Sequence, residues 1–272
     1  MSGEEARAFS VTVVGSLIMC NDKERSDPIM CSMPIDDIRA ELEGFADPQA
    51  AAFAQRFFKT GPGQYGEGDI FRGIRVPVLR RLAGKYRLLG LPDVERLLKS
   101  PFHEDRLVAL FILVSIYSKG DKRTRHEAYS LYLNNTRWIN NWDLVDSSAE
   151  HIVGPQVGDG NREILDELAR SNSLWERRIA IMATFHTIRK REYDATLRVA
   201  RILLQDSEDL IHKAVGWMLR EIGKRDIEVE EKFLRSHYAK MPRTMLRYAI
   251  ERFPEPVRQA YLKGTIPEAP ED

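Results

Sequence analysis

The chain has 272 residues, enough for a sizeable core in one or two domains. Its 41 basic and 41 acidic residues cancel, so only their distribution can speak for or against a nucleic-acid partner. Both cysteines, Cys20 and Cys31, lie near the start, which excludes a disulfide framework or a cysteine-ligated metal site in the body and suits a reducing cytoplasm.

Residues 1–32 differ from the rest: β-prone, then polar, with no helical period. The apolar run Phe9 to Cys20 is too short to span a bilayer and lacks the basic flank of a signal peptide. The segment reads either as a spurious upstream extension, with Met33 the natural start, or as an ordinary disordered tail. From Met33 nearly every segment has helical period. The spacing predicts helices over about 36–58, 76–88, 91–99, 103–118, 122–134, 141–151, 161–170, 174–190, 193–204, 207–224, 227–238, 242–252 and 255–263. Short connections rich in Gly, Asp, Asn, Ser or Pro join them, and 264–272 reads as a C-terminal tail.

The helices repeat. Arg106, Trp142, Arg178, Lys213 and Arg247 fall in one column, at steps of 36, 36, 35 and 34 residues. Two helices per step predict an all-α, right-handed solenoid of HEAT-like antiparallel pairs over 33–263, one helix of each pair lining a concave surface. Four of the five column residues are cations, and the exception is Trp142. One turn later the column reads Leu110, Asp146, Met182, Trp217 and Glu251, so Asp146 shares a face with Trp142. A basic row interrupted by one indole–acid pair reads as a phosphate-tracking groove with a special point. Residues 170–252 hold 18 Lys/Arg against 12 Asp/Glu, so a neutral chain can still present a basic face.

In its motifs "NWDLVD" (141–146), "LWERRIAI" (174–181) and "HKAVGWMLRE" (212–221), and more weakly in "YGEGDIFRGIRVP" (65–77), the chain resembles the bacterial alkylpurine DNA glycosylases of the AlkD type over about residues 36–263. The resemblance implies an excision site at Trp142, Asp146 and Arg178, with Trp217 in the cleft. It also implies a duplex DNA substrate carrying N3-alkyladenine or N7-alkylguanine, no metal, no organic cofactor and no base-flipping pocket. The chain departs from the best-known members at Asn141 and His186 and in the "YGEGD" loop.

The residue types suit that chemistry. An alkylated cationic purine leaves as a neutral base, so no general acid is needed. What remains is an oxocarbenium-like sugar, which one carboxylate, Asp146, can stabilise while orienting water. Indole faces attract cations, at about 2 kcal/mol when desolvated, so Trp142 and Trp217 would favour a charged lesion. Lys213, Arg220 and Arg247 are candidate phosphate contacts, and Tyr65, in the loop "GPGQYGEGD", is a candidate cleft residue. No lysine fills the special slot, so an abasic site without strand cleavage is expected.

Bland readings stand beside these. Asp143 reads as a solvated or helix-capping acid and Arg177 as solvated, Trp138 and Trp175 as structural, and the Tyr65 loop as simply packed. The six histidines are scattered, with no HExxH pair. The protein is expected to be a monomer in the bacterial cytoplasm, at the nucleoid when acting. The rival readings are a non-catalytic solenoid that binds damaged or branched DNA by shape, and a protein-binding scaffold.

Overall fold

The computed structural model describes residues 34–158 and 163–266. The readings of residues 1–32 and of most of the C-terminal tail lie outside these. The described residues are helical, with no strand and a single isolated bridge, Ile70 to Phe102. In chain order the helices are α1 (Pro34–Gly44), α2 (Pro48–Phe57), α3 (Val76–Lys85), α4 (Leu91–Leu98), α5 (His103–Lys119), α6 (Lys122–Asn134), α7 (Trp142–Asp146), α8 (Ala149–Ile152), α9 (Gly154–Gly158), α10 (Glu163–Ala169), α11 (Leu174–Ala183), α12 (Phe185–Arg189), α13 (Asp194–Ile202), α14 (Asp209–Gly223), α15 (Ile227–His237), α16 (Arg243–Ala249) and α17 (Glu255–Lys263).

Three of the expected helices are broken. The first splits into α1 and α2 because Asp47 caps a new helix, accepting from the Gln49 and Ala50 amides, and Pro48 takes its first position. Ser147 and Ser148 separate α7 from α8, and their hydroxyls donate back to the Leu144 carbonyl. Thr184 separates α11 from α12 and donates to the Ile181 carbonyl at 2.7 Å. Periodicity carries across the breaks at Ser147–Ser148 and Thr184, where buried apolar residues stand on both sides, whereas α2 buries none of its residues.

One row of helices runs through the molecule. α3 packs on α5, α5 on α7 and α8, these on α11, α11 on α14, and α14 on α16. A second set flanks it: α4 and α6 against α5, α10 and α13 against α11, α15 against α14. The core between them is aliphatic, with Leu110, Ile112, Leu113, Ile179, Ile181, Val215 and Met218 all essentially inaccessible. α14 and α16 approach closely because residue 216 is glycine. A Cβ there would run into the Met245 carbonyl and lie 2.6 Å from Tyr248 Cβ.

The 65–77 loop is fixed by buried polar contacts. Glu104, in the first turn of α5, accepts from the amides of Arg72 (2.8 Å), Gly73 (2.8 Å) and Ile74 (3.2 Å). Arg72 pairs with Asp105 (2.8 Å) and with Glu43. Asp69 receives Arg106 Nη2 at 2.6 Å and His103 Nδ1 at 3.0 Å. Residues 69–74 of the loop are therefore held against α5. This also corrects the column: Arg106 is 3% exposed and ion-paired inward, so it cannot track phosphates.

Candidate nucleic-acid cleft and its acid–indole pair

Asn141 starts α7. Its Oδ1 accepts from the Trp142 amide (2.9 Å), and its Nδ2 donates to Asp69 Oδ2 (3.2 Å). This cap sets the first turn and so projects Trp142 and, one turn on, Asp146. The Trp142 ring stacks on Phe58, with centroids 5.3 Å apart and planes at 23°, and meets Phe57 edge-on at 6.2 Å.

Ser173 opens α11, and Arg178 reaches back from it to α7. Its Nε donates to Asp146 Oδ1 (2.8 Å) and its Nη2 to Oδ2 (2.7 Å), a bidentate pair. Arg178 Nη1 donates to the Leu210 carbonyl at 2.6 Å, tying α14 to the same pair. The Arg178 side chain is 6% exposed and that of Asp146 16%. Burial raises the Asp146 carboxyl above its ordinary range, although Arg178 pulls the other way.

Beside this pair lies a cleft of about 510 Å³, walled by Phe57, Tyr65, Trp142 and Trp217, with Arg178, Lys59, Lys213, Glu208, Asp209, Leu210 and Tyr248 completing it. Burial raises the Tyr65 hydroxyl above its usual value, against the opposing effects of Trp142, Lys213 and Arg178. Tyr65 also meets Trp175 edge-on at 6.0 Å, and Trp175 is otherwise part of the core, as expected of a structural residue. Trp217 donates from Nε1 to Glu221 at 3.2 Å and lies 6.4 Å from the Phe185 ring.

Five expected residues thus meet at one place: Trp142, Arg178, Trp217, Lys213 and Tyr65 line the cleft. Asp146 adjoins it through Arg178 but is not among the lining residues. Lys213 pairs with Asp209 at 2.7 Å, and that contact raises its ammonium above the usual lysine value. Arg220 and Arg247 are not lining residues. Arg220 is turned to Glu251 with 16% of its side chain exposed, whereas Arg247 is exposed.

Two bland readings are corrected. Asp143 is not solvated: its Oδ2 lies 2.9 Å from His103 Nε2 and its side chain is 17% exposed. Arg177 is bound to Asp206 at 2.6 Å and to the carbonyls of Ser171 and Asn172. Sequence reasoning missed Phe57, Lys59 and Tyr248 as cleft residues. The signal for Tyr248 was one position from the Arg247 column. That for Phe57 and Lys59 was the "RFFK" end of α2, which no repeat aligns.

Among the described residues no helix is long and apolar enough to cross a membrane, and no group of three or more His, Cys, Asp or Glu could hold a metal ion. No curated protein matches the sequence. A solved structure of a predicted DNA alkylation repair enzyme from Enterococcus faecalis has a similar fold, with a TM-score of 0.60 at 17% identity over 77% of this chain and 97% of that one. The family described as DNA alkylation repair enzyme matches residues 38–253, well over half of the sequence. This chain belongs to the DNA alkylation repair enzyme family.

Proposed function

We propose that the protein is a monofunctional DNA glycosylase that releases cationic alkylpurines, N3-alkyladenine and N7-alkylguanine, from duplex DNA. One observation carries this: a carboxylate, Asp146, held bidentately at the side of an indole-walled cleft. The family membership supports a role in DNA repair. The row of packed helices fits a right-handed solenoid of HEAT-like pairs, in which α7, α11, α14 and α16 carry cleft residues on a concave face.

In this reading Lys59 and Lys213 meet phosphates at the cleft while Arg247 extends the contact along the backbone. Trp142 and Trp217 present π faces to the lesion or the sugar. The base departs neutral and takes the bonding electrons of the glycosidic bond, leaving positive charge on the sugar. Asp146 stabilises that charge from a site of restricted solvation, where electrostatic interactions are stronger than in water. Each carboxylate oxygen keeps a second lone pair beyond its bond to Arg178, so Asp146 can also orient the attacking water. Water adds to the sugar carbon and loses its proton, and an abasic site results.

The test is release of free base from duplex DNA containing N7-methylguanine, comparing the protein with Asp146→Asn. Release by the native protein alone supports the reading. A second reading, binding of damaged or branched DNA by shape without excision, is favoured by the bidentate pairing of Asp146 with Arg178, which turns both carboxylate oxygens toward the guanidinium. Salt-sensitive binding with no release by either protein would select it.

A further inference from the structure

Beneath the indole lies a set of groups that the proposed reaction does not use. His103 is 2% exposed and has both ring nitrogens engaged: Nδ1 is 3.0 Å from Asp69 Oδ2 and Nε2 is 2.9 Å from Asp143 Oδ2. A neutral imidazole has only one N–H, so it can donate to only one of two flanking carboxylates. The arrangement calls for the imidazolium.

The same ring belongs to a stack. Phe71 lies over one side, with centroids 4.5 Å apart and planes at 20°. Phe58 is 5.1 Å away at 36°, and Phe58 in turn stacks on Trp142. His103 is therefore linked to Trp142 twice. One link runs through the rings. The other runs through its two acids, since Asp143 adjoins Trp142 in the chain and Asp69 accepts from Asn140 (3.1 Å) and from the cap residue Asn141 (3.2 Å).

We propose that Asp69, His103 and Asp143 form a charged positioning triad that fixes the first turn of α7 and, through Phe58, the orientation of the Trp142 ring in the cleft. The residues touch no substrate; they act through Trp142. This rests on the reading of the cleft as the reaction site, but the link to Trp142 can be read without any reaction.

The charges facing His103 agree with the assignment. Asp69 comes from the loop, Asp143 from α7 and Arg106 from α5; Phe58 meets the ring as an uncharged face, and Arg75 and Glu104 line the groove beside it. Glu104 is occupied by three loop amides, and Asp105 by Arg72 and Ser100. Burial opposes the charge on His103, but the bonds to Asp143 and Asp69 outweigh it and push the imidazole up to about 9. A groove of about 470 Å³ under α2 has both His103 and Asp143 in its lining, which gives the triad a path to solvent for proton exchange.

The experiment uses the full chain labelled with 5-fluorotryptophan. It has four tryptophans, so four 19F signals are expected, with that of Trp142 assigned by Trp142→Phe. The Trp142 signal should move with pH at a midpoint near 9, and the other three should not follow it. In Asp143→Asn the midpoint should fall by at least one pH unit. In His103→Gln, which keeps a donor toward one acid, the transition should disappear. A Trp142 signal that ignores pH, or one that titrates unchanged in folded His103→Gln, overturns the proposal. Base release measured alongside should lose kcat about tenfold in Asp143→Asn with KM held within twofold. No release by the native protein at any pH would overturn the reading of the reaction, whereas the 19F titration alone decides the triad.

Discussion

Asp69, buried, and Asp146, mostly buried, both lie beside an arginine, and they behave in opposite ways. Asp69 receives His103, Arg106, Asn140 and Asn141. Burial acts to raise it, but these donors prevail and hold it below the usual carboxylate range. Among the described residues Asp146 accepts from Arg178, and there burial prevails, so it lies above that range. A buried acid whose lone pairs are filled from four directions is a structural joint. One held from a single side, next to a cleft, retains capacity for a further positive charge. Number and direction of donors separate the two roles, since burial is common to both.

The sharpest way to break this comparison is to remove the charge from the open acid. Asp146→Asn should lower base release by about 10²–10³-fold, the scale of losing one preorganised electrostatic contact, with DNA binding retained. Single-turnover release assays check it, and equal rates would remove Asp146 from the chemistry. Next, Arg178→Met should destabilise the fold by about 3–5 kcal/mol, because it strands a mostly buried carboxylate. Denaturant titration reads this. The loss should shrink as pH falls, since protonation relieves an unpaired Asp146.

The closed site has its own signature. The imidazole of His103 is raised from 6.5 to about 9 on folding. Its contribution of about 3 kcal/mol is fully present below pH 6.5 and disappears as pH climbs through 9. Unfolding free energies at pH 6.5 and pH 9.5, compared with those of His103→Gln, isolate it. The smallest effect expected is at Lys213. Lys213→Gln should weaken DNA binding a few-fold and reduce the slope of log affinity against log salt by about one. An unchanged slope would take Lys213 off the phosphate backbone.

How much of this was legible in the sequence differs between the two acids. Helix positions were, because amphipathic period survives in a single chain; the breaks at Asp47–Pro48, at Ser147–Ser148 and at Thr184 escaped. Trp142, Arg178 and Lys213 stand at the 36- and 35-residue steps legible in the sequence, and with Trp217 they line one cleft, whereas Arg106 and Arg247 of the same column do not. The Asp69 joint was hidden. Asp69 itself stands in an irregular loop that belongs to no repeat, and its partners lie 34 to 72 residues away. Arg106 shows why this matters: its place in the column matches that of Arg178, but the loop supplies an acid that turns it inward.

Gly216 carries a last consequence. The two helices it joins bear Trp217 and Tyr248, which both face the cleft. The distance between these two walls is therefore a backbone dimension, set where no side chain can yield. A methyl group at 216 would act as a spacer, widening the aperture for larger adducts while loosening the grip on small ones. Under the proposed function, lesion size would then be graded by a residue that is not among those lining the cleft.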